Sequence, residues 1–107
     1  MKLLFIYHKL IDIMDIQLNQ RLDWGNWNYG WMGSYIVEKI LKNHIVLRTY
    51  HLQAFVNGVL KNNVLTNSRL KLTHKQFSKT LNGRKNEDLR LTDKIVDVDK
   101  CIINLKS

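Results

Sequence analysis

Proline is absent from this chain of 107 residues, and alanine occurs once, at Ala54. Cysteine also occurs once, at Cys101. A single thiol cannot close an internal disulfide or build a cysteine-rich zinc site, so a disulfide scaffold and a zinc ribbon are both excluded. A small buried hydrophobe is the expected role for it. Long apolar runs are missing too. Nothing approaches the ~20 apolar residues of a membrane-spanning helix, and the run at residues 3–7 is soon followed by His8, Lys9 and Asp12, unlike the core of a signal peptide. There is no Arg/Ser-rich, acid-poor transit peptide. Acid is scarce: nine Asp+Glu stand against 17 Lys+Arg, a formal net charge of +8. An excess of that sign favours a polyanionic partner, nucleic acid or an anionic membrane face. A hydrophobic content of 45% excludes a disordered basic tail.

What replaces the missing residues is informative. Phe, Tyr, Met, Ile, Asn and Lys account for 43 residues, and Gly, Ala, Arg and Pro for 11. The first group has AT-rich codons and the second GC-rich ones. That bias points to an AT-rich genome: an organelle, a phage or an AT-biased microbe.

The chain has no internal repeat, low-complexity tract or Pro/Ser linker. Residues 1–18 open with an apolar stretch that fits a strand or a short helix equally well. Residues 19–34 hold Trp24, Trp27 and Trp31 among Gly25, Gly30, Gly33 and three asparagines. Glycine and asparagine favour turns, so this reads as an aromatic-rich loop. Its indoles can cover a core or, beside Arg21, stack on bases. Over residues 35–61, Ile36, Val37, Ile40, Leu41 and His44 fall at helical spacing, and Leu52, Phe55, Val56, Val59 and Leu60 do so again. Two helices are expected, with a break near residues 43–45 and Ser34 as the N-cap of the first. Residues 62–68 read as a polar connection. Residues 69–74 alternate, with Leu70, Leu72 and His74 on one face and Arg69, Lys71 and Thr73 on the other, as in a half-buried strand with a cationic outer face. Basic residues continue through Lys75, Lys79, Arg84 and Lys85. Two short strands are expected towards the end, on either side of Asp99-Lys100.

No converging catalytic set is visible. His8, His44, His51 and His74 are dispersed, no acidic neighbour completes a metal site, and Asn82-Gly83-Arg84-Lys85 lacks the glycines of a phosphate loop. No cofactor and no metal are expected. A polyanion binder remains, meeting phosphates with Lys and Arg and bases with aromatic faces.

The order of certain residues then becomes useful. Arg21-Leu22 is followed by Trp27-Asn28-Tyr29-Gly30-Trp31, by Tyr35 and Leu41, by Ile45-Val46-Leu47-Arg48-Thr49-Tyr50, and by Ser68-Arg69-Leu70-Lys71-Leu72. This resembles the N-terminal half of small-subunit ribosomal protein three, the KH-domain protein of the ribosomal head. The likeness spans residues 19–74, about half the chain. It departs at His44, where the family carries an acid, and at Asn86, which stands where the second glycine of the family's G-x-x-G loop would be.

The resemblance implies an α+β fold: an aromatic N-terminal loop, two consecutive helices, then strands of a partial KH-like (type II) domain. Residues 1–18 would be an extension, and residues 19–107 a truncated RNA-binding domain. It implies a non-enzymatic constituent of the small ribosomal subunit, in a mitochondrial ribosome given the codon bias. The implied RNA-binding residues are Arg21, Trp27, Trp31, Arg48, Arg69, Lys71, Lys75, Lys79, Arg84 and Lys85. The implied partners are small-subunit rRNA and neighbouring ribosomal proteins, including a separately encoded C-terminal half if the gene is split; no membrane partner is expected. The alternative is a phage or plasmid helix-turn-helix regulator. Residues 72–82 resemble the first helix and turn of that motif, and a recognition helix would have to follow near Lys85.

Overall fold

Asn57-Gly58 is the shortest-range determinant of the architecture. In the computed structural model, which describes residues 16–26, 30–81 and 87–104, Asn57 has φ 52° and Gly58 φ 79°. Two consecutive residues of positive φ form the two-residue turn whose twist matches that of paired strands, and Asn-Gly suits it best. The chain therefore reverses here. β3 (His44–Val56) and β4 (Val59–Thr73) pair antiparallel from Val56↔Val59 back to His44↔Thr73.

The remaining strands build outward from this hairpin. β2 (Gly30–Ile40) pairs with β3, and β1 (Gln20–Asn26) pairs with β2, both antiparallel. A helix, α1 (His74–Leu81), follows β4 without a loop. β5 (Glu87–Ile95) returns to the far edge and pairs antiparallel with β1. The chain then makes a short 3₁₀ turn (Val98–Lys100) and ends in β6 (Ile102–Asn104), parallel to β4. The sheet order is β5-β1-β2-β3-β4-β6.

This sheet is covered on both sides. On one face Leu22, Val37, Ile45, Leu47 and Leu89 pack with Phe77 of α1, and Trp24, Tyr35, Leu72 and Leu91 close the rim. On the other face Ile36, Tyr50 and Leu65 pack under Val96, Val98 and Cys101 as the chain crosses from β5 to β6. Phe77, Leu22, Ile45, Leu47 and Leu65 are fully buried. Burial of such side chains is worth about 1.5–3 kcal/mol each.

The helix start is fixed by a reciprocal cap. Thr73 Oγ1 accepts from the Gln76 backbone N–H at 3.1 Å, and the Thr73 N–H donates to Gln76 Oε1 at 2.9 Å. This T-x-x-Q box satisfies two amides. Phe77 and Ser78 then face the sheet.

The expected two consecutive helices over residues 35–61 are therefore overturned. Those residues form most of β2, all of β3 and the first part of β4. Two physical reasons explain the difference. A strand covered on both faces buries adjacent residues, so Ile36 and Val37 both enter cores, on opposite sides. A register shift between Val37 and Lys39 then changes the phase by one, which imitates the three-to-four spacing of a helix. Ser34 is not a helix cap; its hydroxyl donates to Asp23 Oδ1 at 2.7 Å across the β1–β2 pair. The expected loop over residues 19–34 is largely strand, and the expected connection over residues 62–68 lies within β4. A partial KH-like arrangement following two helices is replaced by one mixed six-stranded sheet with α1 on one side. Of the half-buried strand expected over residues 69–74, Leu72 enters the helix-side core and Arg69 bonds on the opposite face, but Leu70 is 37% exposed and His74 begins α1.

Candidate nucleic-acid interface

Charge is segregated along this chain. Residues 39–86 contain ten Lys and Arg and no Asp or Glu. They span β3, β4 and α1 entirely, together with the end of β2. The acids lie before and after them. Folding brings much of this acid-free stretch to one end of the sheet, where the β2–β3 turn (residues 41–43) meets the β4–α1 junction. His74 ties the two together: its Nε2 is 3.0 Å from the Leu41 carbonyl oxygen, and its backbone N–H donates to the Asn43 carbonyl at 3.3 Å.

Lys39, Lys42, Arg69, Lys71, Lys75 and Lys79 are all solvent-exposed around this end. Lys39 and Lys71 each pair with Val46, from opposite sides, so they stand two strands apart, about 10 Å. Arg69 and Lys71 lie on the face opposite α1. Lys75 and Lys79, one helical turn apart, lie on α1 itself. The described members of the basic run expected over residues 69–85 are thus divided between the two faces and meet at their common edge. Lys39 and Lys42, missed in the sequence reading, join it there. The signal that reveals them is the absence of acid after Glu38.

The expected arginines are placed differently. Arg48 lies on a strand, not a helix, and its side chain is only 12% exposed. Its Nε donates to the Thr66 carbonyl at 2.7 Å, and Nη1 lies 3.7 Å from Glu38 Oε2. Arg21 is ion-paired with Asp23, Nε to Oδ1 at 3.1 Å and Nη2 to Oδ2 at 3.3 Å. The first of these contacts is electrostatic rather than an aligned hydrogen bond, since Arg21 Nε makes none. Both arginines are committed within the fold. Arg69, paired with Arg48 across β3 and β4, is the more open of the two and binds Glu38 through a fork: Nε to Oε1 at 3.2 Å and Nη2 to Oε2 at 3.0 Å.

Three ionisable groups are displaced from their ordinary range. The hydrogen bond from Arg69 holds the Glu38 carboxyl low against the opposing effect of its partial burial, and the nearby charges of Arg69 and Arg48 add to that. Burial pushes the Tyr50 phenol up, and its hydroxyl donates to Asn63 Oδ1 at 2.6 Å. Burial also pushes the Cys101 thiol up. Among the described residues no group of three or more His, Cys, Asp or Glu could hold a metal ion. No helix among them is long and apolar enough to cross a membrane.

Among the described residues, aromatic groups contribute little at this end. Trp24 and Tyr35 pack against the helix-side core, and Tyr50 is buried. Phe55, 71% exposed, sits near the tip of the β3–β4 hairpin. Trp27, Arg84 and Lys85 lie outside the described residues, as does the side chain of Trp31. The arrangement favours contact with phosphates over stacking on bases.

No family model matches this chain, and no curated protein or solved structure is significantly similar to it.

Proposed function

We propose that this protein binds RNA through the sugar-phosphate backbone, without catalysis, at the cationic end of the sheet. The observation that carries this reading is the acid-free stretch, whose exposed Lys39, Lys42, Arg69, Lys71, Lys75 and Lys79 gather around one turn and one helix start. Lysines spread over two faces suit the curved backbone of a structured RNA, which is met by shape and phosphate contacts. The specific form we favour is a constituent of a mitochondrial small ribosomal subunit that contacts rRNA and neighbouring proteins. Residue order over positions 19–74 and the AT-rich coding support that form; the fold lends it no support.

A helix-turn-helix reading fits the chain less well. α1 does occupy the position of a first helix, but residues 87–95 are the strand β5, bonded to β1. A recognition helix starting near Lys85 would have to run through residues that form this strand.

The test is RNA binding as a function of salt. With about five phosphate contacts, affinity for a random-sequence RNA duplex should fall by ~10²-fold or more between 50 and 200 mM salt. A variant with Lys39, Lys42, Lys71 and Lys75 changed to Gln should lose most of the binding and most of the salt slope. Binding indifferent to salt, or unchanged in that variant, overturns the reading. Co-sedimentation with small subunits in a magnesium-containing gradient tests the ribosomal form; migration at the top of the gradient overturns it.

A further inference from the structure

Between Asp23 and Glu87 the chain has one carboxylate, Glu38. The fold places it beside two arginines. Arg48 and Arg69 are directly opposite each other across β3 and β4. Like charges in that relation destabilise a sheet unless something neutralises them. Glu38 does so from β2, at the register shift between Val37 and Lys39, which aims its side chain at the pair. Arg69 grips both carboxylate oxygens, at 3.2 and 3.0 Å, and Arg48 Nη1 lies 3.7 Å from Oε2. Arg69 is held from its other end as well, with Nη1 donating to Asn67 Oδ1 at 2.6 Å and to the Asn67 carbonyl at 3.0 Å. Lys39 and Lys71 flank Val46 on the next row.

An oriented guanidinium fork, a second guanidinium and two flanking ammonium groups make an oxyanion site. The paired oxygens of a carboxylate and the two free oxygens of a phosphodiester present the same acceptor pattern to such a fork. We infer that Glu38 is an internal placeholder: its carboxylate occupies the position of one RNA phosphodiester, and RNA binds there by displacing it from Arg69. This rests on the RNA-binding reading above. The consequence is a built-in threshold. A lone anion must outcompete a tethered carboxylate, whereas a polyanion that also engages Lys39, Lys71 and Lys75 gains enough to open the fork.

Glu38→Gln keeps the side chain's size and removes its charge. Its affinity for a random-sequence RNA duplex should exceed that of the wild type by about tenfold at 100 mM salt, with a salt slope steeper by about one contact. The double variant Glu38→Gln/Arg69→Gln should lose that gain. A folded Glu38→Gln protein that binds no tighter than the wild type, with the same slope, overturns the placeholder and leaves the RNA reading standing. Absence of RNA binding by both proteins overturns both readings. A second measurement needs no variant. The Glu38 carboxyl, titrated by NMR in the wild type, should rise towards the ordinary value of 4.5 when the RNA duplex is bound. A carboxyl that stays depressed in the complex overturns the proposal.

Discussion

Arg48 donates its Nε–H to the carbonyl oxygen of Thr66 at 2.7 Å, across the point where β3 and β4 change register. Thr66 is buried at 2% exposure. The register shift leaves residues 66–68 of β4 without a partner on β3, and the guanidinium takes the place of one ladder hydrogen bond on that side. Arg48 is thus a structural residue of the sheet as well as a neighbour of the proposed oxyanion site.

Two substitutions separate these roles. Arg48→Ala strands a buried carbonyl and should cost about 1–3 kcal/mol. Lys71→Ala removes an exposed side chain and should change stability by no more than ~0.5 kcal/mol, while weakening RNA binding several-fold. Urea denaturation and RNA titration of both variants check this. Equal stability losses would count against the assignment.

Acid should weaken the fold through Glu38. Its folded-state carboxyl titrates below the ordinary 4.5 because Arg69 bonds to the charged form. The stabilisation is therefore complete above 4.5 and is lost as pH falls through the lower folded value. The gap in Tm between wild type and Glu38→Gln should be constant from pH 7 to pH 5 and close below about pH 4.5. A gap that does not narrow as pH falls below 4.5 would show that charge on Glu38 is not its source.

Phe77 is the keystone of the helix-side core. It is fully buried, and Val37, Ile45 and Leu47 belong to the same cluster. Phe77→Ala should cost about 3–5 kcal/mol, measured as a shift in the denaturation midpoint. Loss of helix signal alone, with the sheet's midpoint unchanged, would show that α1 contributes little to the core.

Gly33 stands opposite Trp24 in the β1–β2 pair. A Cβ added there would lie 2.5 Å from the indole Nε1. Gly33→Ala should push the indole out of its place, shift the tryptophan emission and cost about 1–3 kcal/mol. Gly58→Ala provides the contrast. Its Cβ would meet nothing within 4 Å, but φ is +79°. The expected cost there is the backbone term alone, about 1–2 kcal/mol, with no change in emission.

The sequence made some of this legible. The alternation over residues 69–74 located the end of strand β4, though Leu70 is exposed and His74 belongs to α1. Apolar runs near the end located β5 and β6, but not their partners, which lie on opposite edges of the sheet. Residues 35–61 misled because helix and two-sided strand look alike over short apolar runs. Two local signals favoured strand there. Asn57-Gly58 marks a two-residue hairpin turn, and Ile45-Val46-Leu47 with Thr49-Tyr50 is rich in β-branched and aromatic residues. Alanine, the best helix former, is nearly absent from the whole chain. Of the candidate site, Arg69, Lys71, Lys75 and Lys79 were also named in the sequence reading, through the resemblance and the basic run over residues 69–85. Lys39 and Lys42 were not, because only the turn brings them beside the helix start. The role of Glu38 depends on a register shift that leaves no mark in the residue pattern.

The crossing of residues 96–101 over the sheet also sets an order of assembly. The β2–β3 and β3–β4 hairpins join near neighbours and can close early. The outer edge of β1 must wait for β5, since Gln20 pairs with Ile95, and Tyr50 and Leu65 stay wet until Val96, Val98 and Cys101 arrive. Contacts of such long separation are slow to form. During synthesis, the hairpins would emerge with one apolar face open and the cationic turn already built. An RNA partner present at that moment would meet the proposed site before the fold is sealed.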